Sequence, residues 1–123
     1  MTEKEKELLL RDLCARLPYG VYSFEDDEEP PISICSYEAE YTFIDSDGWS
    51  HKIGTFKPYL RPLKSMTDEE LSFYNNHLIT PGITILEENL SEYLEWMHSH
   101  HFDYRGLIPM GLALEAPEGM YKN

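Results

Sequence analysis

The chain has 123 residues, is 41% hydrophobic and 13% aromatic, and carries a formal net charge of −13. That length suits a single domain, residues 1–123, with one core, and the composition excludes a wholly disordered chain. The charge opposes nucleic acid and anionic membranes, and no run approaches the ~18 apolar residues of a membrane span, so a protein is the expected partner.

The N-terminus "MTEKEKELLL" is acidic and lacks the apolar run of a signal peptide, which predicts a reducing, cytoplasmic setting. Cys14 and Cys35 have neither metal nor redox spacing. Both occupy positions where apolar residues are expected, which predicts buried free thiols.

The first predicted element is a helix from Glu3 to Leu17. Thr2 and Glu5 form a capping box, and Leu10, Leu13, Cys14 and Leu17 share a face with Leu9 on its flank. Glu7–Arg11 and Asp12–Arg16 are spaced as helical ion pairs. Pro18 and Gly20 end the helix, and "VYSFE" (Val21 to Glu25) follows as a short strand. "DDEEPP" is a loop, because four acids and two prolines do not fit a sheet.

Cys35, Tyr37, Ala39, Tyr41 and Phe43 alternate with Ser36, Glu38, Glu40 and Thr42, as in a half-buried strand. Ile32 and Ile34 are in the opposite phase, which predicts a bulge or bend near Ile34. "DSDG" (Asp45 to Gly48) is a turn and "WSHKIGTF" the returning strand. A calcium loop around "DSDG" fails, because its first and last ligand positions would be Phe43 and Gly54.

"KPYLRPLKSM" is extended or irregular, since its prolines fix the backbone and remove donors. Thr67 opens a second helix with Glu70 in its capping box and Met66 and Leu71 placed for a hydrophobic staple; it runs to about Leu78. "ITIL" is a short strand and Leu90 to His100 a third helix. Leu107, Ile108, Met110, Leu112 and Leu114 in the tail are expected to fold back onto the core.

"HSHHFDYRGL" places His98, His100, His101 and Asp103 close together. At about 100° per residue with Leu90 at zero, Tyr93, Leu94 and Met97 mark the buried face; His101 falls near 20°, His98 near 80° and His100 near 280°. The histidines therefore diverge. His98 and His101 could share an ion with Asp103 folding back as a third ligand, and these three are the candidate metal residues. The competing reading is a helix end: histidines facing the negative end of the dipole, His100 stacked on Trp96, and Asp103 capping the turn "YRGLI".

No nucleophile stands in a motif, and the chain has no P-loop, Rossmann glycine pattern or HExxH, so no catalytic residue and no cofactor is assigned. Charge is unevenly spread. Gly48 to Thr67 holds Lys52, Lys57, Arg61 and Lys64 and no acid, a formal +4 that leaves −17 for the rest of the −13 chain. Trp49, Phe56 and Tyr59 lie among these cations, as on a single-strand-binding surface. The alternative is internal neutralisation of an acidic fold, which the overall charge favours. Phe73 and Trp96 lie off the apolar faces of their helices and would suit a protein interface. The interaction candidates are thus Trp49, Lys57, Tyr59, Arg61, Phe73 and Trp96.

Three phrases, "LLLRDLCARLPYGVY", "KPYLRPLKSMTDEEL" and "HFDYRGLIPMGLALEAPEGMY", cover a little under half the chain. Together they resemble a family of small uncharacterised proteins of prophages and mobile elements of gut bacteria. The resemblance implies a phage-related accessory protein of the host bacterial cytoplasm. It carries no catalytic residues across, and in its light His101 and Asp103 pack and cap. Tyr22 to about Phe56 matches no phrase of that family.

The expected fold is α+β: a small, mainly antiparallel sheet built around a hairpin Cys35–Phe56 and covered by about three helices. The expected function is non-enzymatic protein interaction. The alternative is an acidic DNA mimic that blocks a host nucleic-acid-binding protein, and the third reading is a metal-binding or enzymatic domain.

Overall fold

The computed structural model describes residues 1–26, 30–78 and 87–121, with the side chains of 77–78 and 87–89 left aside. The strand expected at "ITIL" and the centre of "DDEEPP" lie outside the described residues.

Helix α1 spans Glu3–Arg16 and is capped as its sequence predicts: Glu5 N–H donates to Thr2 Oγ1 (3.1 Å) and Thr2 N–H to Glu5 Oε1 (2.8 Å). Strands β1 (Val21–Phe24), β2 (Ile32–Ala39), β3 (Thr42–Asp45), β4 (Ser50–Lys52), β5 (Lys57–Leu60) and β6 (Leu114–Glu115) form a sheet of order β4-β3-β2-β1-β5-β6. Every pairing is antiparallel except β5–β6. Helix α2 (Asp68–Phe73) passes into a π-helical turn (Tyr74–Leu78), and α3 spans Glu87–Ser99. The architecture is α+β, a mostly antiparallel sheet with three helices.

The hairpin is tighter than its alternation suggests. The run Cys35–Phe43 does not continue as one strand but folds at Glu40–Tyr41, whose φ values of 50° and 61° are those of a two-residue primed turn. Two features hold that turn: Tyr41 N–H donates to the Tyr37 hydroxyl (3.1 Å), and the Tyr41 hydroxyl reaches Glu7 of α1. "DSDG" then joins β3 to β4 as expected, with Gly48 at φ 90°. The irregularity near Ile34 is present as a register shift between Ile34 and Ser36.

The core lies between α1 and one sheet face. Leu9 and Leu13 are buried against Val21, Ile34, Phe43 and Leu60, and Leu107 and Leu112 of the tail close it. Each such side chain contributes roughly 1.5–3 kcal/mol on burial. Met110, expected in this group, is exposed, while Leu114 joins β6.

The buried face of α1 is Leu9, Asp12, Leu13 and Arg16, one residue and hence about 100° away from the face expected. Cys14 is consequently exposed, as is Cys35, so neither thiol is buried. The rotation is possible because the two charged residues on the buried face satisfy each other. Arg16 Nε donates to Asp12 Oδ2 (2.7 Å), Arg16 Nη2 to Asp12 Oδ1 (3.1 Å) and to the Phe102 carbonyl (2.6 Å). Arg105 Nε adds a bond to Asp12 Oδ1 at 3.0 Å.

Candidate functional site

Three segments meet beside the end of β5: residue 61 onward through α2, the C-terminal end of α3, and the tail after β6. Between them lies an open groove of about 860 Å³. Its geometry starts from Arg61. The guanidinium grips Glu70 through both oxygens (2.8 and 2.6 Å), donates to the Ser65 carbonyl (3.1 Å), and lies 4.2 Å from the centre of the Phe102 ring. Glu70 is fixed from the other side by the capping box of α2, with Thr67 N–H donating to Oε1 at 2.9 Å. Burial pushes the Glu70 carboxyl up, but Arg61 and the Thr67 amide outweigh it and hold the pKa at about 2.

Aromatic rings form the adjoining wall. Trp96 stacks on His100 (centroids 4.4 Å, interplanar 27°), on Phe73 (5.5 Å, 21°) and on Phe102 (5.5 Å, 25°). Phe73 and Trp96 are half-buried by one another, which accounts for two aromatics lying off their helices' apolar faces. Conversely Leu90, taken as the centre of the buried face of α3, is exposed.

Helix α3 ends in a Schellman motif. Phe102 N–H donates to the Met97 carbonyl (3.0 Å) and His101 N–H to the His98 carbonyl (3.1 Å), with Met97 and Phe102 both buried. His101 takes the left-handed position usual for glycine, at φ 64°. Its ring stacks on Tyr121 at 3.7 Å, an interaction glycine could not make. Burial, followed by the Arg16 and Arg61 charges, brings its pKa down to about 4. The chain then runs beside Arg61: Arg61 N–H donates to the His101 carbonyl (2.7 Å) and Asp103 N–H to the Arg61 carbonyl (2.8 Å).

The candidate metal residues therefore serve other purposes. His98 Nε2 lies 2.7 Å from the Tyr104 hydroxyl, His101 faces Tyr121, and the Asp103 carboxylate accepts from Leu107 N–H (2.8 Å) and Ile108 N–H (2.9 Å). His100 stacks on Trp96 and Asp103 caps the "YRGLI" turn, as the helix-end reading expects. Among the described residues no group of three His, Cys, Asp or Glu could hold a metal ion.

Of the six interaction candidates, the fold brings Arg61, Phe73 and Trp96 together in the groove. Trp49 stands apart in the β3–β4 turn, 71% exposed, and Lys57 is exposed at the start of β5. Tyr59 packs edge-on to Phe24 and its carbonyl accepts from the Tyr121 hydroxyl (2.8 Å). The basic stretch does not form one continuous cation–aromatic surface, since Phe56 is in the core and Arg61 is paired with Glu70. No helix among the described residues is long and apolar enough to cross a membrane.

Two further arrangements escape sequence inspection. The Tyr121 hydroxyl enters the sheet where the β1–β5 ladder opens, accepting from Tyr22 N–H (2.9 Å) while donating to the Tyr59 carbonyl. His51 lies between Asp45 (2.7 Å from Nε2) and Glu25, at Nδ1. Burial lowers its pKa, but the two carboxylates outweigh that and raise it. No local pattern marks either one, because each joins residues more than five positions apart across separate elements.

Comparison of the chain with protein-family models, with curated proteins and with solved structures gives no match in any of the three.

Proposed function

We propose that the chain is a non-enzymatic protein-interaction module, a phage-related accessory protein of the bacterial cytoplasm, that docks a partner protein in the groove beside Arg61. The observation that carries this is convergence. Arg61, chosen for its acid-free basic stretch, and Phe73 and Trp96, chosen as aromatics off the apolar faces of their helices, line one groove. Stacked aromatics and a fixed guanidinium are the residue types enriched where protein partners bind. Among the described lining residues one is a histidine, His100, and it is stacked on Trp96 beside the helix end.

The test is affinity capture from host lysate with wild-type protein and with Ser65→Trp, which places a bulky neutral ring in the groove from an exposed position. A specific partner held by the wild type and lost by S65W, with unchanged circular dichroism, supports the reading. A partner held equally by both overturns it. A second reading, an acidic DNA mimic, is favoured by the net charge of −13. It requires capture of a nucleic-acid-binding protein that is lost between about 0.1 and 1 M salt, as the Debye length falls from about 10 to 3 Å.

A further inference from the structure

We infer that the segment seated in this groove is basic and presents arginine. The inference rests on the docking reading above and names the chemistry of the partner.

Among the described residues the groove is lined by four carboxylates, Glu69, Glu70, Glu115 and Glu118, against one guanidinium, Arg61. Glu70 is neutralised by Arg61. Glu69, Glu115 and Glu118 are exposed, and among the described residues none of them has an ion-pair partner. Three carboxylates with no ion-pair partner among the described residues thus line the groove together with its aromatic rings, in a chain already at −13. An acidic or uncharged segment would leave that field uncompensated, whereas a cationic one complements it.

The aromatic component narrows the choice between the two cationic side chains. A planar guanidinium can stack on a ring while its N–H groups face a carboxylate in bidentate fashion; an ammonium is a point charge with a tighter water shell. The protein contains its own example at the edge of the same groove. Arg61 sits over Phe102 and grips Glu70 at once. The groove's lining offers the same two components again, the rings of Trp96 and His100 and the carboxylates of Glu69 and Glu118.

The two tryptophans of the chain make a direct readout. Trp96 lines the groove and Trp49 does not. 15N-labelled full-length protein is titrated with nine-residue peptides alternating glycine with arginine, lysine, glutamate or leucine. The arginine peptide should shift the Trp96 indole N–H and the Gly119 amide and leave the Trp49 indole in place. It should bind more tightly than the lysine peptide, and the Glu69→Gln/Glu118→Gln double variant should weaken it about five-fold or more. Equal shifts at both indoles, or affinity unchanged by E69Q/E118Q, would mean diffuse attraction to an acidic protein and would overturn the inference. The same holds if the leucine peptide occupies the groove in preference to the arginine one, although the docking reading then survives. If no peptide moves Trp96 and S65W leaves partner capture intact, both fall.

Discussion

Asp12→Ala tests the buried network under α1. Both side chains of the Asp12–Arg16 pair are 0% exposed. Removing the carboxylate leaves the guanidinium enclosed with the Phe102 carbonyl as its one hydrogen-bond acceptor among the described residues and the Tyr104 ring 5.6 Å away, and its Nη1 already lacks a partner. Breaking a buried pair from one side costs about 3–5 kcal/mol, a large share of the roughly 5–15 kcal/mol that holds a domain together. At about 2.1 cal/mol/K per residue, the unfolding entropy of 123 residues is about 0.26 kcal/mol/K. The expected fall in Tm is therefore roughly 12–19 °C. Replacing both charges, as Asp12→Leu with Arg16→Met, should recover about 1–3 kcal/mol relative to Asp12→Ala, because no charge is stranded. Recovery is incomplete, since the Phe102 carbonyl loses its donor and Arg105, 24% exposed, must turn to water. Urea melts of the two variants and the wild type measure all three stabilities. A loss below about 1 kcal/mol for Asp12→Ala, or a double variant worse than the single, would refute the view that charge desolvation dominates this face.

The acid limb of stability follows from Glu70 and His101. The Glu70 pKa of about 2 lies below its ordinary 4.5, so its contribution is complete above pH 4.5 and is lost as pH falls towards 2; this is worth at most about 3 kcal/mol, and Glu70→Gln should remove that part of the pH profile in urea melts. His101, at about 4 against an ordinary 6.5, is buried neutral and adds a loss beginning at the higher pH, between 6.5 and 4, which His101→Asn should abolish. His51 has the opposite sign: its raised pKa gives stability that is full below 6.5 and declines as pH rises through the folded value, so His51→Gln should flatten the alkaline side of the same profile. Tyr121→Phe keeps the ring on His101 but strands Tyr22 N–H and the Tyr59 carbonyl, and should cost about 1–3 kcal/mol, with faster amide exchange at Tyr22 as the local signature.

Local physics made much of this fold legible in the amino-acid sequence. Both capping boxes, at Thr2 and Thr67, use donors and acceptors three residues apart, and both form. The "DSDG" turn, the His100–Trp96 stack and the Asp103 cap are likewise interactions of near neighbours, and the irregularity near Ile34 was marked by a change of phase within a few residues. The hairpin turn was hidden because Glu40 and Tyr41 carry no turn signature; their positive φ is held in part by Tyr37 and Glu7. His101 hid the Schellman motif for a related reason, since a stack on Tyr121, twenty residues on, takes the place of the expected glycine.

The groove divides in the same way. The amino-acid sequence could single out Arg61 for its acid-free basic stretch, and Phe73 and Trp96 as aromatics off the apolar faces of their helices. Tertiary structure decided that they meet, and which acid, Glu70, neutralises Arg61. It also turned α1 by one residue, against its own apolar pattern. Periodicity measures hydrophobicity one side chain at a time, whereas Asp12 and Arg16 are buried as a neutral pair completed by Phe102 and Arg105, 86 and 93 positions away along the chain.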